Sequence, residues 1–239
     1  MVLQEIRKLL KYLVKPILPQ RVKKFNSIYA FFILFFFSMI ADYFLNDLSK
    51  GQWIASSLNI EKIDANDEEI YSKGLLSAIM GVGLVAPLLE EYTQRVYLTS
   101  FLWNQTILPL NLCLIFIKLN NIHQDKEVSV TIAVFLVISF VIYHLASKTE
   151  LIKRKMMRFY IRNYWLYFYT SAIAFGFLHI GNYEVRNYIP ALSIILVFSQ
   201  FFGGLTLGYI RVAMGLRWSI LFHALHNFFY LALLFLNHK

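Results

Sequence analysis

Two adjacent carboxylates and an arginine, Glu90, Glu91 and Arg95, stand inside an otherwise apolar stretch of the chain. From Gly74 to Leu102 they are the only charged residues. A charged side chain at bilayer depth costs roughly 2.5–3.5 kcal/mol, so such groups need partners. Glu91 and Arg95 are four residues apart and can pair on one helix face, whereas Glu90 lies about 100° away from Glu91. Glu90 is therefore predicted to face polar groups that come from other helices.

Polar residues in two later apolar segments could provide those groups. His179 ends one segment, and His223 and Asn227 share a face of the last one because they are four residues apart. A carboxylate and an imidazole can activate water, and a second histidine with an amide could donate to an oxyanion. Two histidines and a glutamate also form a zinc ligand set, although the helical HExxH spacing is absent. The sequence alone leaves a zinc-bound water and a Glu/His-activated water both open.

The remaining histidines have a structural interpretation. A single histidine at bilayer depth more often bonds a backbone carbonyl or a neighbouring helix than takes part in chemistry. We interpret three histidines in this way: His123, His144 and His226.

The composition indicates a polytopic membrane protein with one membrane-embedded domain. Hydrophobic residues make up 58% of the 239 residues and charged residues 15%, against about 25% charged residues in a typical soluble domain. The net charge of +9 need not mean nucleic-acid binding, because the basic residues cluster as the positive-inside rule requires. The single cysteine, Cys113, excludes an intrachain disulfide. No cleavable signal peptide is predicted.

Hydropathy predicts an all-α bundle of about seven transmembrane helices, since backbone groups in lipid must be satisfied within each span. The N-terminus is predicted inside, because fifteen basic residues fall in the predicted inner segments and six in the outer ones. Residues 46–73 are acidic and are predicted to form an outer loop. The predicted spans are 25–45, 74–102, 106–119, 128–146, 163–180, 188–210 and 217–236.

The first 24 residues are predicted to form a separate segment ahead of the membrane domain at 25–239. Leucines and isoleucines recur there at helical spacing with lysines between them, which is typical of an interfacial helix on an anionic membrane surface. A solvated basic leader is the alternative. Pro16 and Pro19 are expected to end the helix.

Three motifs in order resemble the CPBP family of intramembrane proteases, also called the Abi or CAAX-protease-like family. They are Glu90-Glu91-x-x-x-Arg95, Phe175-x-x-x-His179 and His223-x-x-x-Asn227. The glycine-rich stretch 203–209 and the segment 214–223 are similar to the family's penultimate and last motif helices. The resemblance covers about residues 80–105 and 168–230. The family includes eukaryotic CAAX prenyl endopeptidases and bacterial homologues linked to bacteriocin immunity.

The resemblance implies a role for each motif residue. Glu90 would be the general base for water and would work with His179, while His223 and Asn227 would hold the oxyanion. Glu91 and Arg95 would be supporting residues. The resemblance favours a mechanism that requires no metal or other cofactor, with zinc as the alternative.

The sequence departs from the family pattern in two ways, and the predicted topology adds a difference in depth within the site. The 83 residues between Arg95 and His179 are more than the family usually has, and Val96 stands where it often has glycine. In the predicted topology His179 lies near the outer end of its span, whereas Glu90 and His223 lie nearer the inner half.

The predicted function is hydrolysis of a peptide bond in a multi-pass protein of the cell membrane with a cytoplasmic N-terminus. The expected partners are membrane lipid and a peptide or protein substrate, with prenylated C-termini and bacteriocin-related peptides as candidates; no nucleic acid is expected. One alternative is a non-catalytic scaffold or bacteriocin-immunity protein. Another is a transporter or proton relay, against which the chain has no matching pair of broken helices in two halves.

Overall fold

The computed structural model of the chain describes residues 2–22, 28–50, 65–119, 125–182 and 197–237. Within these ranges it contains helices and no strand, which confirms the predicted all-α fold. Short 3₁₀ turns lie at Pro19–Arg21, Val96–Thr99 and His179–Asn182. The helices are α1 (Val2–Val14), α2 (Ile28–Lys50), α3 (Ala65–Ser72), α4 (Leu75–Arg95), α5 (Phe101–Leu119), α6 (Asp125–Lys148), α7 (Glu150–Arg162), α8 (Tyr164–Leu178), α9 (Phe198–Ala213) and α10 (Leu216–Asn237).

Three helices of the described chain are long and apolar enough to cross a membrane. They are Ile28–Leu45 in α2, Leu75–Arg95 in α4 and Leu216–Leu236 in α10. The bent pair Val130–Leu145 and Glu150–Arg162 adds a fourth if it forms one broken span. Helices α8 and α9 have 15 and 16 residues, fewer than the roughly 20 that a span needs. The count of seven spans therefore stays a prediction, and part of the sixth predicted span lies outside the described residues.

Helices α8 and α9 form the centre of the bundle and pack closely against each other. Glycines allow helices to approach closely, and two glycines in the stretch 203–209 do so here. A Cβ atom added at Gly204 would lie 3.2 Å from the backbone of Ala172, and one added at Gly208 would lie 2.8 Å from Cε2 of Phe168. Gly215, with φ +109°, makes the tight turn from α9 into α10.

Helix α4, which carries the two glutamates, is not a regular α-helix. Its first turn is α-helical, Ile79–Val85 forms a π-helix, and the α-helix resumes at Ala86–Arg95. Gly83 lies in the π-helical segment against Phe228 of α10, where a Cβ atom would come within 2.4 Å of the phenyl ring. π-Helical segments inside α-helices occur often at functional sites.

Helix α1 is amphipathic as predicted, but one of its faces packs on the bundle. Leu9, Tyr12 and Leu13 are buried in the main core. The hydroxyl of Tyr169 on α8 donates to the carbonyl of Leu13 at 2.6 Å and so satisfies a C-terminal carbonyl of α1. The helix ends at Val14, before Pro16, as expected. The alternative of a solvated leader is therefore wrong, because α1 is a packed element.

The acidic segment 46–73 is not a simple loop, so this prediction needs a correction. Helix α2 continues to Lys50, and Ala65–Ser72 forms α3. The Tyr230 hydroxyl on α10 hydrogen-bonds to the Asp67 carboxylate on α3. This contact anchors α3 on α10. Residues 51–64 lie outside the described residues.

Candidate active site

Three helices bring Glu90, His179 and His223 together. The Oε2 atom of Glu90 on α4 lies 3.9 Å from Nε2 of His179, at the end of α8. The same atom lies 3.8 Å from Nε2 of His223 on α10. These distances exceed a direct hydrogen bond. Among the described residues, this buried oxygen has no hydrogen-bond partner.

The predicted topology placed His179 and Glu90 at different depths, but the structure brings their side chains together. A second contact between the same helices is the hydrogen bond from Ser171 of α8 to the carbonyl of Gln94 on α4 at 2.8 Å.

Hydrogen bonds at the Nδ1 atoms fix how both imidazoles face Glu90. Nδ1 of His179 lies 2.8 Å from the carbonyl oxygen of Phe175, and Nδ1 of His223 lies 3.1 Å from Oε1 of Glu91. Both partners accept hydrogen bonds, so each Nδ1 carries a proton. On a ring that carries only this proton, Nε2 bears a lone pair and faces Glu90.

Glu91 is the centre of a fully buried polar network. Arg95 donates from Nη1 to Oε1 of Glu91, so the predicted pairing of these two residues is confirmed. The Ser219 hydroxyl of α10 donates to Oε2, and His223 bonds Oε1. The Arg95 guanidinium also lies 4.1 Å above the ring centroid of Phe175. Because both charges have no solvent exposure, removal of either one would leave the other buried without a counter-charge.

Asn227 lies one turn after His223, but its amide points to the π-helical segment. Nδ2 donates to the carbonyl of Val82 at 2.8 Å. An amide group has two N–H donors, so one remains for another acceptor. Asn227 thus connects α10 to the irregular part of α4.

Side chains from α8 and α9 hold the end of α4 in place. The last carbonyls of a helix lack intrahelical partners. The hydroxyl of Ser171 binds the carbonyl of Gln94, and Nε of Arg211 binds that of Arg95 at 3.2 Å. Nη2 of Arg211 also donates to the Thr99 hydroxyl at 2.9 Å, and the Tyr164 hydroxyl donates to the carbonyl of Leu98 at 3.2 Å. Sequence reasoning missed this arrangement, although a single arginine at the end of an apolar helix was a usable signal.

His226 pairs with another helix, as its structural interpretation predicted. Its Nε2 atom lies 3.3 Å from Oδ2 of Asp42 on α2, and the buried Ser199 hydroxyl of α9 donates to Oδ1. His144 is exposed on α6, beside Phe140, and His123 lies outside the described residues. Asp42 was not among the predicted site residues, because 184 positions separate it from His226.

No group of three or more His, Cys, Asp or Glu side chains in the described parts of the chain has the geometry of a metal site. In the cluster around Glu90, the two imidazoles and the carboxylate converge, but both ring nitrogens lie nearly 4 Å from the carboxylate oxygen. Oε2 of Glu90 thus lies near both imidazoles, and it has no hydrogen-bond partner among the described residues.

The chain matches the model of a known protein family. A family model described as type II CAAX prenyl endopeptidase Rce1-like matches residues 72–229, which is more than half of the chain. The matched region includes the three motifs and α4 to most of α10. No curated protein and no solved structure matches the chain.

Proposed function

Because the chain belongs to the Rce1-like family of type II CAAX prenyl endopeptidases, we propose that it cleaves peptide bonds at a membrane-embedded site centred on Glu90. The family consists of proteases, so peptide hydrolysis is the reaction class. The observation that carries the site is the buried Oε2 atom of Glu90, which faces His179 and His223 at 3.9 and 3.8 Å without a hydrogen bond. A polar atom left in this state in an apolar bundle is suited to bind a reactant.

Glu90 and His179 are the groups that activate water in this proposal. A water molecule beside the pair donates one hydrogen bond to the Glu90 carboxylate and one to Nε2 of His179. Glu90 takes a proton as the water oxygen bonds to the carbonyl carbon of the scissile peptide. The C–N bond of the tetrahedral intermediate then breaks, and the proton passes from Glu90 to the leaving amine. Atoms and charges balance without a metal or other cofactor.

His223 and Asn227 stabilise the oxyanion of the intermediate. Since Nδ1 of His223 donates to Glu91, its Nε2 atom can donate only when the ring is an imidazolium. The Glu91 carboxylate supplies the counter-charge for that cation. Asn227 gives one N–H to the carbonyl of Val82 and has its second N–H for the oxyanion.

The positions of the basic segments support a cytoplasmic N-terminus and a site near the inner membrane surface. Tyr12 of α1 contacts Tyr209 of α9, and Arg211 contacts the C-terminal end of α4. Glu90 is five residues before that end, or about 7.5 Å along the helix. The positive-inside rule would place this end of the bundle in the cytoplasm, and the cell membrane is the proposed location.

The family description supports prenylated peptides as the proposed substrate class. The test uses purified full-length protein in proteoliposomes. The first peptides to test end in a prenylated cysteine followed by three residues. Each of these peptides is compared with the same peptide without the prenyl group. Mass spectrometry would identify the cleaved bond. Release of the last three residues from the prenylated peptide alone supports the proposed substrate. Cleavage of neither peptide would contradict it and would favour the alternative of a non-catalytic scaffold.

A further inference from the structure

Helix α1 has three distinct faces, of which the bundle covers only one. The bundle-facing residues lie within about 80° of the buried Glu5 around the helix axis. They are Leu9, Tyr12 and Leu13. The opposite side is solvent- or lipid-accessible and is divided into an apolar stripe and a basic stripe. The apolar stripe consists of Leu3 (81% exposed), Leu10 (46%) and Val14 (83%).

The basic stripe of α1 lies next to this apolar stripe. The basic stripe consists of the exposed residues Arg7, Lys11 and, just after the end of α1, Lys15. Around the helix axis these residues lie at about 200–280° from Glu5, whereas the apolar stripe lies at about 140–180°. The one acidic residue of α1, Glu5, is buried and pairs with Lys8 at 2.7 Å. A helix with adjacent apolar and basic stripes suits a membrane surface, where one stripe enters the acyl region and the other stays at the headgroups.

Helix α7 has a similar outward face. Tyr160 is buried, whereas Arg154, Lys155 and Arg158 are exposed on the opposite side together with Leu151, which is 64% exposed. The one acidic residue of α7, Glu150, lies 3.3 Å from Lys153 and so faces a local partner. The outward surface of α7 is therefore basic with apolar side chains among the charges.

The fold places these two helices at the same end of the bundle. The rings of Tyr12 on α1 and Phe168 on α8 are 5.2 Å apart, and the Tyr12 hydroxyl interacts with that of Tyr164, the first residue of α8. The ring of Tyr160 in the last turn of α7 lies 5.7 Å from that of Tyr164. This tyrosine contact fixes two separate basic helices around one end of the bundle.

We propose that the exposed basic residues of α1 and α7 form one binding surface for anionic phospholipid headgroups. This surface, the basic collar, is defined by Arg7, Lys11, Lys15, Arg154, Lys155 and Arg158. Its charge is complementary to an anionic leaflet, which attracts each lysine or arginine near its surface. The exposed leucine and valine side chains next to the basic residues favour a lipid, because acyl chains lie directly beneath the charged headgroups and can cover them. The proposal does not depend on the proteolytic function.

The test measures which lipids stay bound to the full-length protein. The protein is mixed in detergent with equal amounts of phosphatidylglycerol and phosphatidylcholine with the same acyl chains, and retained lipids are identified by native mass spectrometry. The wild type is expected to retain phosphatidylglycerol preferentially. Changing Lys11→Gln and Lys15→Gln together, or Arg154→Gln and Arg158→Gln together, should reduce that preference at least about fivefold. A rise in salt to about 0.5 M should weaken it as well, because exposed charges are screened.

Two controls separate specific binding from general charge effects. Lys73→Gln removes an exposed lysine outside α1 and α7 and is expected to leave the preference unchanged. Leu10→Ser with Val14→Ser tests the apolar stripe and should lower the total lipid retained. The proposal is wrong if the wild type shows no preference for the anionic lipid, or if Lys73→Gln lowers the preference as much as a double variant. Unchanged retention in the serine variant would overturn the part of the proposal that assigns lipid contact to the apolar stripe.

Discussion

Oε1 of Glu91 lies 3.1 Å from Nδ1 of His223, so the carboxylate of one helix sets the proton position on the imidazole of another. The Arg95 guanidinium on the same oxygen keeps Glu91 ionised and accepting. As a result, His223 carries its first proton on Nδ1 and can use Nε2 as a donor only in the charged form. In the proposed mechanism the two glutamates therefore have different tasks, since Glu90 would take the proton of the water and Glu91 would orient the histidine.

Glu91→Gln is expected to lower kcat by about a hundredfold, because the imidazolium of His223 loses its counter-charge and an oxyanion donor is worth 10²–10³ in kcat. It should also destabilise the protein by about 3–5 kcal/mol, since the buried Arg95 loses its partner. Peptide cleavage and thermal unfolding of the purified variant would measure the two effects.

The double variant Glu91→Gln/Arg95→Met separates these effects. Removal of the unpaired cation should restore most of the stability without restoring kcat. If the double variant regains activity along with stability, Glu91 is only a structural residue.

Arg211→Met is expected to loosen the end of α4 and lower kcat about tenfold with little change in KM, because Arg211 holds the carbonyl of Arg95 and the hydroxyl of Thr99. Arg211→Lys should recover part of the activity, since a cation remains at the helix C-terminus. Hydrogen–deuterium exchange would show faster exchange in residues 86–99 for the methionine variant. The exposed Arg217→Met is the matched control, and equal exchange in both variants would argue against a positioning role for Arg211.

Asp42→Asn and His226→Gln are expected to be coupled in stability. Their side chains lie 3.3 Å apart and connect α2 to α10, and residues in direct contact show interaction energies of about 0.5–3 kcal/mol. Thermal or denaturant unfolding of both single variants and the double variant would give this energy. Strict additivity would mean that the pair contributes nothing to the packing of α2.

Gly208→Ala should destabilise the protein by about 1–3 kcal/mol, because the new methyl group would lie 2.8 Å from the buried ring of Phe168. Gly203→Ala, on the same helix, meets no atom within 4 Å and should be neutral or stabilising by up to about 1 kcal/mol. Unfolding measurements on the two variants test the close packing of α8 and α9. Equal effects would show that helix propensity, and not the contact with Phe168, determines the result.

Local spacing predicted the parts of the site that lie on one helix. The pairing of Glu91 with Arg95 and the single long last helix both follow from the regular 3.6-residue repeat. The contact between Glu91 and His223 could not be predicted in this way, because it depends on the rotation of α10 against α4. Spacing also gave no indication of the π-helical segment, which changes the register of α4 before Glu90.

Contacts that depend on distant segments were the hardest to predict. Asp42 lies on α2, which precedes the family-matched region 72–229, and yet it pairs with His226 inside that region. The amphipathic pattern of α1 was evident, but its docking required the ring of Tyr12 to fit against Phe168 and Tyr209. Such fits are decided by side-chain packing across the bundle, which a linear pattern does not contain.

The most direct test is cleavage of the prenylated peptide by wild type and by Glu90→Gln, each with and without a strong chelator, with zinc content measured on the same samples. Glu90→Gln keeps the shape of the side chain and removes the base, so it should stay folded and lose cleavage, while the wild type should remain active in the chelator. Retained cleavage in Glu90→Gln would contradict the assignment of Glu90 as the base. Stoichiometric zinc together with loss of wild-type activity in the chelator would instead make Glu90, His179 and His223 candidate metal ligands.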